Sequence, residues 1–169
     1  SCDGYLYSDQ PVAVVGGGNS GLEASLDLAK LNCDVSLLEI EDSLMGDEYL
    51  QKKVEDNEKI TTYTSNQIEE IIGEDKLESI IIKDNNSGEK RKLDVNGLFV
   101  EIGLVANTDF VSDIIEVNEQ QEIIIDDNNE TNIEGIWAAG DVSNIKDKQI
   151  IISAAEGAKA ALRVNKYLS

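Results

Sequence analysis

The stretch Pro11 to Glu39, PVAVVGGGNSGLEASLDLAKLNCDVSLLE, decides the fold. An apolar run, Val12-Ala13-Val14-Val15, enters Gly16-Gly17-Gly18-Asn19-Ser20-Gly21, and an amphipathic stretch leads on to Val35-Ser36-Leu37-Leu38-Glu39. Strand, glycine turn, helix and acid-tipped strand in that order form a dinucleotide-binding βαβ unit. In this spacing Gly16 makes the tight turn, Gly18 lets backbone approach a pyrophosphate, and Gly21 lets the helix sit against the strand. The helix N-terminus, with Gly17, Asn19 and Ser20 around it, offers N–H groups and partial positive charge to phosphates.

Glu39 lies 18 residues after Gly21, at the end of the second apolar run. A carboxylate there can accept hydrogen bonds from both hydroxyls of an adenosine ribose and repels a 2′-phosphate. The following residues, Ile40 to Asp47, contain no Arg or Lys to neutralise one. The reading is therefore NAD(H) rather than NADP(H).

Bulk composition narrows the possibilities further. Fourteen basic against 34 acidic residues give a net charge of -20, which disfavours nucleic acid and anionic membrane as partners. With no histidine, a Ser-His-Asp triad, a Cys-His pair and His-ligated zinc are excluded. Cys2 and Cys33 are too few for a four-cysteine metal site or a disulfide framework, so no metal is expected. No apolar run approaches the roughly 18 residues of a membrane span, and no charged-then-apolar leader opens the chain, so a soluble cytoplasmic protein is expected.

Beyond Glu39, Asp42 is expected to cap a helix over Met45 to Glu55. Four β-rich runs follow, Ile60 to Thr64, Gln67 to Ile72, Leu77 to Lys83 and Lys90 to Val95, which read as an antiparallel ribbon packed on one side of the sheet. Asp84-Asn85-Asn86-Ser87-Gly88 is the expected hairpin turn. Gly97 to Gly103 reads as a buried parallel strand closing the sheet, and the chain changes character after it. Short strands are expected at Glu122 to Ile125 and Gly135 to Ala139, then a helix over Ile150 to Leu168 with Ala155, Ala158 and Leu162 on one face. The fold class is α/β: a Rossmann-like domain with a parallel sheet and an antiparallel meander, followed by a section that is not a domain by itself.

Four features occur together: Cys2-Asp3-Gly4-Tyr5, the glycine turn, Gly97 to Thr108, and Gly135 to Asp141 followed by Lys148-Gln149-Ile150. In combination they resemble the C-terminal half of the thioredoxin reductase family, most closely its alkyl hydroperoxide reductase flavoprotein branch. Glu39, Gly21 in place of Ala, and Lys148 to Ile152 are similar to the NADH-using peroxide branch. The resemblance implies that Cys2 is the second cysteine of a CxxC pair, its partner lying upstream of Ser1, and that Asp3 moves protons during dithiol exchange. It also implies that Gly140 and Asp141 hold FAD, that Gln149 and Ile150 bring a helix N-terminus to the flavin ring, and that Ile102 and Gly103 join the cofactor-binding set.

The implied layout is a redox-active segment over 1–8, an NAD(H)-binding domain over 9–103, and the C-terminal part of an FAD-binding domain over 104–169. A second glycine fingerprint for the ADP part of FAD is not in the chain, so its FAD site is incomplete. Ala106 stands where the family pattern IGxxPNT has proline, a departure expected to loosen the hinge between domains. The implied partners are the missing N-terminal FAD-binding half, a thioredoxin-like or peroxiredoxin-system protein, and a second copy in a homodimer. Two alternatives stay open: a thioredoxin reductase proper, and a non-catalytic NAD(H)-binding module. Cys33, just before the second strand, reads as a small buried apolar residue.

Overall fold

A computed structural model describes residues 3–169. The chain divides into two compact units, Ser1–Gly103 and Leu104–Ser169.

In the first unit a short 3-10 helix, Gly4–Tyr7, precedes β1 (Pro11–Val15), α1 (Asn19–Lys30), β2 (Asp34–Leu38), α2 (Glu48–Glu55) and β3 (Ile60–Tyr63). Strands β4 (Asn66–Ile72), β5 (Ser79–Asp84), β6 (Lys90–Asp94) and β7 (Gly97–Val100) complete it. One sheet is parallel with order β3-β2-β1-β7, and a second is an antiparallel β4-β5-β6 ribbon. Val12 pairs with Val35 on one side and Gly97 on the other.

Central strand β1 is buried on both faces, which is why its sequence is continuously apolar. Val12 and Val14 pack with Leu22 and Leu28 of α1 and Val54 of α2, while Ala13 packs with Leu38, Ile80 and Ile82 under the ribbon. Cys33 is fully buried in the helical side of that core, where burial pushes its thiol pKa up and its Sγ donates to the Tyr7 carbonyl at 3.1 Å. The ribbon's hairpin is closed by Asp84, whose Oδ1 accepts from Ser87 N–H at 2.7 Å and Asn86 N–H at 2.8 Å. Those two bonds hold its carboxyl below the ordinary 3.8.

Three expectations need correction here. Ile60 to Tyr63 is not part of the ribbon but the outer strand of the parallel sheet, in register with β2 from Val35↔Ile60 to Leu38↔Tyr63. Helix α2 begins at Glu48 rather than Met45, with Asp47 rather than Asp42 at its cap position. The reason is competition for backbone donors: the Met45 and Gly46 N–H groups are both bonded to the Gly17 carbonyl, which keeps those residues outside the helix. Strand β7 is an edge strand, with Gly97 buried and Val100 59% exposed.

The second unit has one regular element, α3 (Ile150–Tyr167), among its described residues. Expected strands at Glu122 to Ile125 and Gly135 to Ala139 are not formed as ladders. They contribute isolated bridges only, Val117↔Ile123, Ile123↔Ser143 and Glu130↔Trp137. Left-handed backbone at Gln121 turns the chain just before the first run, and at Gly135 and Gly140 it turns the chain at the two ends of the second, which keeps both short. Order comes instead from side chains bonded to backbone. Asn118 Oδ1 accepts from Gln120 and Glu122 N–H, and Asp126 Oδ1 accepts from Glu130 and Asn128 N–H. The α3 face carrying Ala155, Ala158 and Leu162 is exposed, Leu162 by 70%.

Candidate functional site

At the carboxyl ends of β1, β2 and β7 lies a cavity of about 440 Å³. Gly16, Gly17, Gly18, Asn19, Ser20, Glu39, Ile102 and Gly103 all line it. This is where open parallel sheets place their ligands. Gly16 has φ +116°, and a Cβ there would lie 2.2 Å from the Glu101 carbonyl oxygen, so the turn closes only with glycine. Gly21 sits behind the turn, its Cα side against the Gly16 carbonyl. A Cβ on Gly18, in contrast, meets no described atom within 4 Å. That leaves a cradle open to a ligand at the cap position of α1, where Gly18 has no side chain to satisfy a first-turn N–H group.

Glu39 is 8% exposed and is held from two directions. Its Oε2 accepts from the Gly17 N–H at 2.5 Å and its Oε1 from the Glu41 N–H at 2.9 Å. Because both partners are donors, only a carboxylate satisfies them together; a carboxamide would turn an NH₂ toward an N–H. Each oxygen keeps accepting capacity for a hydroxyl. Glu41 and Glu101 add two more acids to the lining, and no Lys or Arg is among the described lining residues. Cationic help for an anion comes from backbone dipoles alone, so the site suits a bridging phosphate and disfavours a phosphate beside Glu39. Sequence reasoning does not find Glu41 and Glu101, since only the folded turn brings them to the cavity.

Among the other predicted residues, Cys2 lies outside the described residues. Asp3 is exposed at the cap of the 3-10 helix, its carbonyl accepting from Leu6 N–H at 3.1 Å. Gly140, Asp141, Gln149 and Ile150 belong to the second unit. Gly140 has φ +84°, and its carbonyl accepts from Ser143 Oγ at 2.7 Å. Asp141 Oδ1 accepts from Ser153 Oγ at 2.7 Å, which ties the turn to α3. Gln149 is the cap residue of α3 without a side-chain cap bond, and Ile150 is 92% exposed.

Lys148, whose motif gives it no separate role, is central to this turn. Its Nζ pairs with Glu122 Oε1 at 2.7 Å, donates to the Asp141 carbonyl at 3.2 Å, and donates to the Ser143 carbonyl. Bonds from Lys148 and then Asn118 hold the Glu122 carboxyl below its ordinary 4.5.

The sequence profile described as pyridine nucleotide-disulphide oxidoreductase matches residues 1–161. The F subunit of alkyl hydroperoxide reductase from Staphylococcus aureus (strain NCTC 8325 / PS 47) is 46% identical over 167 residues, covering 99% of this chain and 33% of the relative. The Staphylococcus epidermidis protein of the same name is 43% identical over 167 residues, with the same coverage. The chain thus spans about a third of the curated relatives it matches. Among solved structures, thioredoxin reductase of Lactococcus lactis superposes with TM-score 0.84 at 34% identity, over 98% of this chain and 55% of that one. Thioredoxin reductase of T. acidophilum superposes with TM-score 0.83 at 30% identity, over 99% and 56%. The match over nearly the whole chain settles what the glycine turn began: the chain belongs to the pyridine nucleotide-disulphide oxidoreductase family.

Proposed function

We propose that this chain is the C-terminal part of an NADH-dependent flavoprotein disulfide reductase, with residues 9–103 holding NAD(H) and residues 104–169 contributing to an FAD site. The observation that carries the reading is Glu39, buried, fixed by two backbone donors and facing the open glycine cradle. In this reading Gly18, Asn19 and Ser20 present the α1 N-terminus to the pyrophosphate, and Glu39 accepts the adenosine ribose hydroxyls. Ile102 and Gly103 line the far wall, and Gly17 holds Glu39 in place.

FAD, when bound, accepts a hydride and passes electrons on to a disulfide. Asp141 would hold one of its hydroxyls, Gly140 would leave room beside it, and Gln149 and Ile150 would bring the α3 N-terminus, with its partial positive charge, toward the flavin. Cys2 would be the cysteine nearest the flavin, and Asp3 its proton carrier. Exposed Ile150, Ile151 and Leu162 on α3 support a covering partner, which we assign to the missing N-terminal FAD-binding half. The dithiol partner is a thioredoxin-like or peroxiredoxin-system protein, and the intact enzyme a homodimer.

Titration of the chain with NADH and NADPH tests the cofactor assignment. NADH binds more tightly, and Glu39→Arg narrows or reverses the difference; equal affinities overturn the role of Glu39. Mixing the chain with its missing half tests the activity. NADH-dependent reduction of a disulfide dye is expected, and it disappears in Cys2→Ser. If no reduction develops and NADH still binds, a non-catalytic NAD(H)-binding module is the better reading.

A further inference from the structure

The chain leaves β2 at Leu38, and residues 44–47 return across the glycine turn before α2 begins at Glu48. Six backbone and side-chain bonds hold them there. Met45 and Gly46 donate their N–H groups to the Gly17 carbonyl at 2.9 and 3.0 Å. Asp47 N–H donates to Asn19 Oδ1 at 2.7 Å, and Asn19 Nδ2 donates back to Asp47 Oδ2 at 3.2 Å. From α2, Gln51 Nε2 donates to the Gly46 and Leu44 carbonyls at 2.6 and 3.2 Å. Gly46 fits because a Cβ there would fall 2.5 Å from Leu22 Cδ1 and 2.9 Å from Asn19 Oδ1.

We propose that Asn19 and Asp47 are positioning residues: their reciprocal bonds clasp the 44–47 strap over Gly17 and so fix the peptide that presents the Gly18 N–H to the ligand. A trans peptide points its carbonyl and the next N–H in opposite directions. With the Gly17 carbonyl held by the strap, the Gly18 N–H is turned away from the strap, on a residue that lines the cavity. The Gly17 N–H is meanwhile held by Glu39. One excursion of chain, from Glu39 to Asp47, thus fixes the two peptide units that flank the Gly17 Cα, one by its N–H and the other by its carbonyl, and sets the turn before any ligand arrives. Asp47 is not among the residues lining the cavity, so it acts through Asn19 and Gly17 rather than by touching the ligand.

The inference rests on reading the cavity as a dinucleotide site, and the test separates the two. Amide hydrogen exchange on the ligand-free chain reads the clasp, and NADH titration reads its consequence. In Asn19→Ala the amides of Met45, Gly46 and Asp47 exchange faster, and NADH binds about fivefold more weakly, as expected for two solvent-facing hydrogen bonds. Asp47→Ala, which loses one bond, weakens NADH about twofold. Asp47→Asn, whose amide oxygen still accepts from Asn19 Nδ2, recovers what Asp47→Ala loses. Unchanged exchange in Asn19→Ala overturns the clasp. Weaker binding in Asn19→Ala with wild-type binding in Asp47→Ala overturns positioning in favour of direct contact by Asn19. Failure of the unaltered chain to bind NADH overturns the dinucleotide reading, whatever the exchange data show.

Discussion

The two units of this chain solve the same folding problem by different means. In residues 3–103 a parallel sheet is covered on one face by α1 and α2 and on the other by the β4-β5-β6 ribbon, and both interfaces are fully buried and apolar. Residues 104–169 bury Ile115, Ile123 and Ala160, while Phe110, Ile114, Ile150, Ile151 and Leu162 stand at 64% exposure or more. There, carboxylates, amides and one lysine bonded to backbone do what ladders and packed apolar faces do in the first unit. Burial is non-directional and tolerant, whereas a bonded network fails at single atoms. The units should therefore respond differently to the same kinds of change.

The largest effect is expected in the first unit, at the turn. Gly16→Ala forces an L side chain into φ +116° and against the Glu101 carbonyl. The cost is about 3 kcal/mol or more, the sum of backbone strain and the displacement of a strand end. Urea unfolding followed by circular dichroism should show the loss as a lower midpoint. Trp137, the single tryptophan, lies in the second unit and reads it separately by fluorescence. An equal fall in the Trp137 midpoint would show that the two units unfold together rather than independently.

How much of this is legible in the sequence follows the same division. The first unit's elements are local: the Val12 to Val15 run, the GGGNSG turn and the acid at Glu39 sit within 30 residues and need no distant partner to be recognised. Strand β3 reads as a member of the wrong sheet because Ile60 to Tyr63 has the same β-rich composition as the ribbon strands. Only its pairing with β2 distinguishes it. The strap at 44–47 is hidden for a similar reason, since its bonds run to Gly17 and Asn19, far back in the chain. In the second unit, Gly140-Asp141 and Lys148-Gln149 stand out as motifs, yet Glu122, Ser143 and Ser153 have no local signal that points to them.

A second, smaller effect should come from Lys148. Lys148→Met removes the ion pair with Glu122 and both donations to the turn carbonyls, leaving Glu122 with Asn118. About 2 kcal/mol should be lost from the Trp137 transition, the scale of hydrogen bonds to a charged group. The pH dependence carries a distinct signature. The Glu122 carboxyl is depressed in the folded state, so its contribution is present above its ordinary 4.5 and is lost as pH falls through the lowered folded value. Lys148→Met takes away the main cause of that depression, so its stability profile below 4.5 should be flatter than that of the unaltered chain. Parallel profiles would mean that the pair does not govern the acid response of this unit.

The smallest predicted change has the opposite sign. Gly157 lies within α3, exposed, and a Cβ there meets no described atom within 4 Å. Gly157→Ala should stabilise the helix by about 0.5 to 1 kcal/mol, because alanine loses less backbone freedom on folding and costs nothing in packing. Whether that gain reaches the rest of the unit depends on how α3 is coupled to it. Ala160 is its one buried residue among those described, but Trp137 meets Tyr167 edge to face at 5.2 Å, and Glu156 accepts from Asn129 Nδ2 at 2.6 Å. Those contacts couple the helix to the loops, so the Trp137 fluorescence midpoint should rise along with the helical signal in circular dichroism. A rise in helicity with a fixed Trp137 midpoint would show α3 forming and fraying alone, and would confine the bonded network to the loops.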